Sequence, residues 1–261
     1  MKKLLLASVG LAVVSVSANA ADLGARRRQP VAPVVAAMPS FTWTGLYAGV
    51  NVGGAFSSGN SIKPVGDAAS LAFAGAGVFP GAVSNKRSGF TGGLQLGANY
   101  QIGQFVVGAE TDWQALGFSK KSNVALASGT VGSFKETSSW LGTTRIRLGI
   151  TPVDRLLVYG TGGVAYGNTG LSGGFLSPTQ GNALWLGRNS DTKFGWALGA
   201  GAEYAFTNNI TGKLEYLYYD LGNNNLALSA ANAAAVAVAA NPGYRAETRG
   251  NIIRAGLNYK F

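Results

Sequence analysis

From Thr44 onward, apolar and polar side chains alternate along the chain. Leu46, Ala48, Val50 and Val52 share one parity, while Tyr47, Gly49, Asn51 and Gly53 share the other. A period of two marks a β-strand with two unlike faces. The pattern returns over Gly89–Gly103, where Phe90, Gly92, Leu94, Leu96, Ala98, Tyr100 and Ile102 oppose Thr91, Gly93, Gln95, Gly97, Asn99 and Gln101. Five further segments carry it: Gln104–Ala115, Ser138–Thr151, Thr192–Thr207, Ile210–Leu221 and Gly250–Phe261. Arg155–Gly167 is glycine-rich and ambiguous in facing; Leu157 and Tyr159 are assigned to the outward, apolar face. Most of these runs exceed the roughly five or six residues of an ordinary strand, and about ten tilted residues suffice to cross a bilayer.

The connections sharpen the picture. Gly103-Gln104, Pro152-Val153-Asp154 and Asn208-Asn209 are tight, and they use the residues that turns require. Ser57–Ser88, Leu116–Thr137, Asn168–Asp191 and Gly222–Arg249 are long, and short and long alternate throughout. The expected fold is all-β: an eight-stranded antiparallel transmembrane β-barrel with short periplasmic turns and four long extracellular loops. A soluble β-sandwich would use shorter strands with turns about every 8–12 residues. It would also bury the face that here carries Trp113, Trp140, Trp196, Tyr204 and Tyr259, which as a barrel surface forms aromatic girdles.

The first residues are of another kind. Lys2 and Lys3, the apolar run Leu4–Val16 and the small-x-small site Ala18-Asn19-Ala20 read as a signal peptide over residues 1–20. Residues 21–41, with Arg26-Arg27-Arg28 and Pro30, Pro33 and Pro39, read as a periplasmic proline-rich basic tether, leaving 42–261 for the barrel. The three arginines are either a solvated run or a contact for anionic head groups or cell-wall polymer. No later stretch reaches the roughly 18 uninterrupted apolar residues of a spanning helix.

Composition narrows the function classes. Cysteine and histidine are both absent, which removes disulfides, thiol chemistry, Ser–His triads and the commonest metal ligand. Glycine makes up 39 of 261 residues, well above the usual ~7%, and charged residues only 12% against a usual ~25%. Without Lys2 and Lys3 the mature chain carries 19 basic and 11 acidic residues, a net charge near +8.

The inward parity collects Glu110, Asp112, Arg145, Arg147, Glu203, Lys213, Glu215 and Arg254, four acids and four bases, with Lys260 at the rim. An eight-strand barrel is just wide enough for its own side chains, so charges inside it must pair. A closed salt-bridge network that plugs the lumen is the leading reading, and a narrow ion-selective path is the other. Glu110 with Asp112 has the spacing of a carboxylate pair, but no substrate cleft accompanies it, so no enzyme activity and no cofactor are expected. Tyr159-Gly160-Thr161-Gly162-Gly163 lacks the following helix of a phosphate loop and reads as close packing within a strand.

The long connections hold Lys63, Lys86, Arg87, Lys120, Lys121, Lys135, Arg188, Arg245 and Arg249 against Asp67, Glu136, Asp191 and Glu247, an excess of about +5. Outer-membrane lipid and anionic glycolipid are the expected partners. Nucleic acid is discounted, since the basic residues are scattered and no binding motif accompanies them. Ile253, Ala255, Leu257, Tyr259 and Phe261 form a final period-two run, expected to be read by the outer-membrane assembly machinery. The sequence leaves homo-oligomer formation open.

Trp43-Thr44-Gly45-Leu46-Tyr47-Ala48-Gly49-Val50-Asn51-Val52-Gly53-Gly54, the segment Tyr159–Gly167 and the terminal Asn251–Phe261 together resemble the alphaproteobacterial 25/31-kDa outer-membrane protein family. That family is similar in form to the β-barrel domain of outer-membrane protein A. The resemblance covers essentially the whole chain. It implies an abundant barrel in the cell outer membrane that supports envelope integrity and is often labelled porin-like; no separate peptidoglycan-binding domain is expected after the barrel, a departure from the larger relatives. Hemin binding, described for some relatives, would need Tyr or Met as axial ligand here and is not carried over.

Overall fold

Strand-forming alternation, interrupted by Gly, Asn and Asp, produces a sheet that closes on itself. The computed structural model describes residues 41–57, 61–84 and 87–261. The leader 1–20, the tether before Phe41 and Lys86 lie outside the described residues. Eight long strands run antiparallel: β1 (Gly45–Ser57), β2 (Arg87–Ile102), β3 (Phe105–Ala125), β4 (Val131–Val153), β5 (Leu156–Ser177), β6 (Ala183–Ala205), β7 (Ile210–Ala227) and β8 (Pro242–Lys260). Each pairs with its sequence neighbour. β1 also pairs with β8, from Tyr47 opposite Lys260 to Phe56 opposite Asn251, which closes an eight-strand ring.

Facing follows the alternation. Leu46, Val50, Val52, Phe90, Leu94, Leu96, Ile146, Leu148, Leu198 and Leu214 are exposed on the outer face. Tyr100, Phe105, Tyr204, Phe206 and Tyr259 lie outward near the tight turns, and Phe90, Trp113, Phe194 and Trp196 form a second outward band higher up. On β3 the step from Phe105 to Trp113 spans roughly 20 Å along the axis at the usual strand rise and tilt, close to the apolar height of a membrane barrel.

Three expectations need correction. The connections after β3 and β5 are hairpins rather than long loops. β3 and β4 stay paired up to Ala125 opposite Val131, and β5 and β6 up to Ser177 opposite Ala183. The strands run on because their inward face keeps an apolar partner set beyond the membrane-sized band, with Phe134, Leu171, Phe175 and Trp185 all buried. Secondly, β4 continues through Pro152 and Val153, so the turn to β5 is Asp154–Arg155, with a register irregularity between Ile150 and Val153.

Thirdly, Leu157 and Tyr159 point inward, at 1% and 3% exposure, and Val158 points out. Leu157 sits opposite Glu203, and residues directly opposite share a face, so an inward Glu203 fixes an inward Leu157.

The two remaining connections contain small elements. Ser61–Gly66 pairs with the upper end of β8 and with Val83–Ser84, and helix α1 (Ala68–Gly75) lies between them. Ser229–Ala230 pairs with β6 and precedes helix α2 (Ala233–Val238). Asp67 and Asn232 cap the two helices by accepting from the amides of Ser70 and Ala235.

The interior is filled in layers. Trp43, Val106, Leu157, Tyr159 and Ala205 pack at the tight-turn end, with Phe41 set edge-on to Trp43. A second cluster, including Leu141, Leu217, Tyr219 and Ile252, lies further up. The third, around Phe79, Phe134, Phe175, Trp185 and Tyr244, fills the tube inside the extended hairpins. Along β7 the inward sequence Lys213, Glu215, Leu217, Tyr219 shows charged residues giving way directly to the second apolar layer.

Candidate functional site

Between the first and second apolar layers, the ring brings together all eight charged residues on the inward parity. None of the eight is more than 4% exposed. Register explains the meeting. Glu110 on β3 lies opposite Arg145 on β4, Glu203 on β6 opposite Lys213 on β7, and Glu215 on β7 opposite Arg254 on β8. Cross-strand opposition of unlike charges is the local rule, and closure of the ring adds contacts across the lumen.

Arg145 lies at the centre. Its Nη2 reaches Glu110 Oε1 at 2.8 Å and Asp112 Oδ2 at 2.7 Å, and its Nη1 reaches Glu215 Oε1 at 2.5 Å. Arg254 donates to Asp112 Oδ1 and Glu215 Oε1, both at 3.0 Å. Lys213 Nζ lies 2.9 Å from Glu110 Oε1 and 3.2 Å from Glu215 Oε2. Arg147 Nη2 donates to Glu203 Oε2 at 2.6 Å and lies 3.5 Å from Glu110 through Nη1. Each carboxylate therefore faces at least one cation, and three of the four face two or more. Such sharing is needed where charges leave water.

Residues outside the charged set complete the site. Tyr47 donates its hydroxyl to Glu110 Oε2 at 2.7 Å and accepts from Arg147 Nη1 at 2.5 Å. Tyr159 donates to Glu215 Oε2 at 3.0 Å, and its ring lies under the Arg147 guanidinium with 3.9 Å to the centroid. Thr143 donates to Asp112, Thr211 and Asn258 donate to Glu203, and Asn51, Gln95 and Gln114 continue the chain of amide bonds. The sequence reading missed these partners. Inward parity combined with a polar side chain would have found Asn51, Gln95 and Tyr47; Tyr159 was lost with the facing of β5.

Two glycines make room for the tyrosines. A Cβ on Gly97 would fall 2.3 Å from Tyr47 Cζ, and one on Gly201 would fall 2.7 Å from the Tyr159 hydroxyl. Each ring lies flat against the wall where the facing strand has no side chain.

The chemistry open to this arrangement is limited. Every acid is engaged by a cation, and among the described residues no group of three or more acids is placed to hold a metal ion. The residues of the final period-two run, Ile253, Ala255, Leu257, Tyr259 and Phe261, lie elsewhere, exposed on the outer face of β8 and just beyond it.

A closed antiparallel ring, an apolar outer band between aromatic residues and a charge-filled interior are the attributes of one known group. The family described as outer membrane protein beta-barrel domain matches residues 7–261. The chain belongs to that family.

Among similar members of known name, the 31 kDa outer-membrane immunogenic protein of Brucella melitensis is 40% identical, with all of both chains aligned. The 25 kDa outer-membrane immunogenic protein of Brucella abortus is 27% identical over 100% of this chain and 99% of its own. The crystal structure of the outer membrane protein OprG from Pseudomonas aeruginosa superposes with a TM-score of 0.52 at 15% identity, covering 85% of this chain and 98% of that one. The likeness to OprG concerns the fold. The family and the full-length relatives place this β-barrel protein in the outer membrane.

Proposed function

We propose that this outer-membrane barrel crosses the membrane with eight strands, turns its tight connections to the periplasm and its long hairpins outward, and acts as a plugged structural and surface-interaction protein. The observation that carries this reading is the buried charge network, whose members are at most 4% exposed and lie between two apolar layers. A conducting lumen needs a hydrated path, and charges lining such a path would be solvated rather than paired with each other. Support for envelope integrity, absence of catalysis and absence of a cofactor belong to the same reading. So do contacts with outer-membrane lipid and anionic glycolipid, and delivery by the assembly machinery through the exposed run Ile253–Phe261.

The test is single-channel recording on the full chain in planar bilayers. The expected result is no stepwise conductance from protein that shows a heat-dependent gel shift. Steady, reproducible channel steps would overturn the plug and establish a small diffusion pore.

A further inference from the structure

The extended hairpins carry an arrangement on their outer face that the plugged lumen does not use. Lys121 on β3 lies opposite Lys135 on β4, Lys135 lies opposite Ser172 on β5, and Ser172 lies opposite Arg188 on β6. One register row thus presents three cations and a hydroxyl across four adjacent strands. Lys121, Lys135 and Arg188 are all exposed. At the usual strand spacing the row is about 14 Å long.

The row is electrostatically unbalanced. Two lysines directly opposite on one face repel and destabilise the sheet. Among the described residues no carboxylate lies within salt-bridge reach of any of the three cations, although other apical cations have partners: Lys63 lies 3.8 Å from Glu247, Lys193 lies 3.7 Å from Asp191, and Arg245 donates to Asn225.

The surface between these cations is hollow, and the smaller of its two grooves is lined mostly by polar groups. Two adjoining grooves of about 420 and 610 Å³ share Lys135, Ser172 and Arg188 as walls. Gly170, Gly173 and Gly174 keep the floor low, and Thr137, Asn168 and Ser190 add hydroxyl and amide groups. The height of the row identifies what it meets. Arg188 is six residues above the outward Phe194 on β6, and Lys135 is five above Trp140 on β4. The row therefore lies roughly 12–15 Å beyond the upper aromatic band, past the acyl chains and level with the saccharide of an outer-leaflet lipid.

We infer that Lys121, Lys135, Ser172 and Arg188 form a binding site for the phosphorylated saccharide headgroup of outer-leaflet glycolipid, with the lysine pair and Arg188 each taking a phosphate and the polar groove taking the sugar between them. The site rests on the outward orientation of the hairpins proposed above, and it gives the general attraction of the surface to anionic lipid a specific location. Phosphate relieves the Lys121–Lys135 repulsion, and guanidinium takes phosphate oxygens in pairs. Small hydroxyl and amide groups match a sugar better than an acyl chain.

The test uses the full chain reconstituted in zwitterionic phospholipid nanodiscs. It is titrated with purified lipopolysaccharide, with the same lipid after enzymatic dephosphorylation, and with inorganic phosphate as competitor. Lys121→Ala/Lys135→Ala/Arg188→Ala should weaken lipopolysaccharide binding about a hundredfold, from roughly fivefold per cation near a charged surface. Arg188→Ala alone should lose about fivefold, and Lys63→Ala/Arg245→Ala, which removes cations that already have partners, should stay within about twofold. Dephosphorylated lipid should bind the wild type as weakly as intact lipid binds the triple variant. Unchanged affinity in the triple variant, equal loss in the Lys63/Arg245 control, or full affinity for dephosphorylated lipid would overturn the site. Competition by equimolar inorganic phosphate would overturn it in favour of a soluble phosphate ligand. Retention of the heat-dependent gel shift shows that the variants are folded. Conductance reports on the lumen alone, so failure of the plug and failure of this site are read separately.

Discussion

The same strands build two opposite kinds of protein at their two levels. Within the membrane-sized band, β4, β5 and β6 turn Ile146, Val164 and Leu198 outward and gather Arg145, Arg147, Tyr159 and Glu203 inside. Above it they turn Lys135, Ser172 and Arg188 outward and bury Phe134, Phe175 and Trp185. The surroundings set the choice. Where lipid surrounds the ring, apolar groups gain little by moving inward, and the middle of the interior, between its two apolar layers, holds charged groups that pair with one another. Where water surrounds it, the hydrophobic effect again favours an apolar centre. Register shifts at Ala115/Phe118 in the β3–β4 pairing, Thr137/Leu141 in the β4–β5 pairing and Glu247/Arg249 in the β7–β8 pairing fall near this changeover, where bulges let the strands re-aim.

The strongest way to break the contrast is to remove a charge from the lower level. Arg145→Ala leaves Glu110, Asp112 and Glu215 each short of a cation in a dry interior, and should cost about 3–5 kcal/mol in urea unfolding. Arg188→Ala, exposed on the upper level, should stay within about 0.5 kcal/mol. Equal, small losses in both would mean that the lumen is solvated. At the upper level the analogous disruption is a cavity. Trp185 is fully buried against Phe79 and Phe175, with ring centroids 4.8 and 5.0 Å away. Trp185→Ala should cost about 3 kcal/mol locally. That loss should appear as faster protease cleavage in the apical hairpins with the heat-dependent gel shift intact; loss of the gel shift as well would show that the two levels unfold together.

Smaller effects sharpen the comparison. Gly97→Ala forces the Tyr47 ring away from the wall and from Glu110, and should cost about 1–3 kcal/mol by overpacking, measured by urea midpoint. The smallest is a pH effect confined to the upper level. Asp67 is lowered to about 2, chiefly by hydrogen bonding to Ser70 and also to Asn241, which ties α1 to the segment before β8. A depressed carboxylate stabilises the fold fully above its unfolded pKa of about 4 and loses that contribution as pH falls through about 2. Apical protease sensitivity should therefore rise over that interval in the wild type. Asp67→Asn, which can still cap α1, should give a pH-independent rate that is already slightly raised. A wild-type rate flat from pH 5 to about 2 would count against the link.

These two levels also explain what could be read from the sequence. Alternation with apolar side chains outward identified the strands and all eight inward charges, because in lipid the two faces differ in chemistry as well as direction. It failed above Ala115 and below Asp191, where the outward residues become Lys121, Lys135 and Arg188, and a template of apolar-out strands takes the reversal for a loop. It failed again at Leu157-Val158-Tyr159, where both parities are apolar and only the pairing with Glu203 decides the face. The row of cations was legible as net charge. Its geometry was not, since Lys121, Lys135 and Arg188 become neighbours only through register.

Closure of the ring has a consequence in time. Every other pairing among the eight long strands joins sequence neighbours, some across turns as short as Gly103–Gln104, but β1 must wait for β8, roughly two hundred residues later. Contacts that distant form slowly, because a long stretch of chain must be ordered before they contribute. Until Tyr47 meets Lys260, the nascent sheet presents two open edges with unpaired amides, each able to accept a strand from another molecule. The protein is therefore most prone to aggregate in the interval between export and closure. Conditions that shorten that interval should raise the yield of inserted barrel even when they leave the stability of the finished ring unchanged.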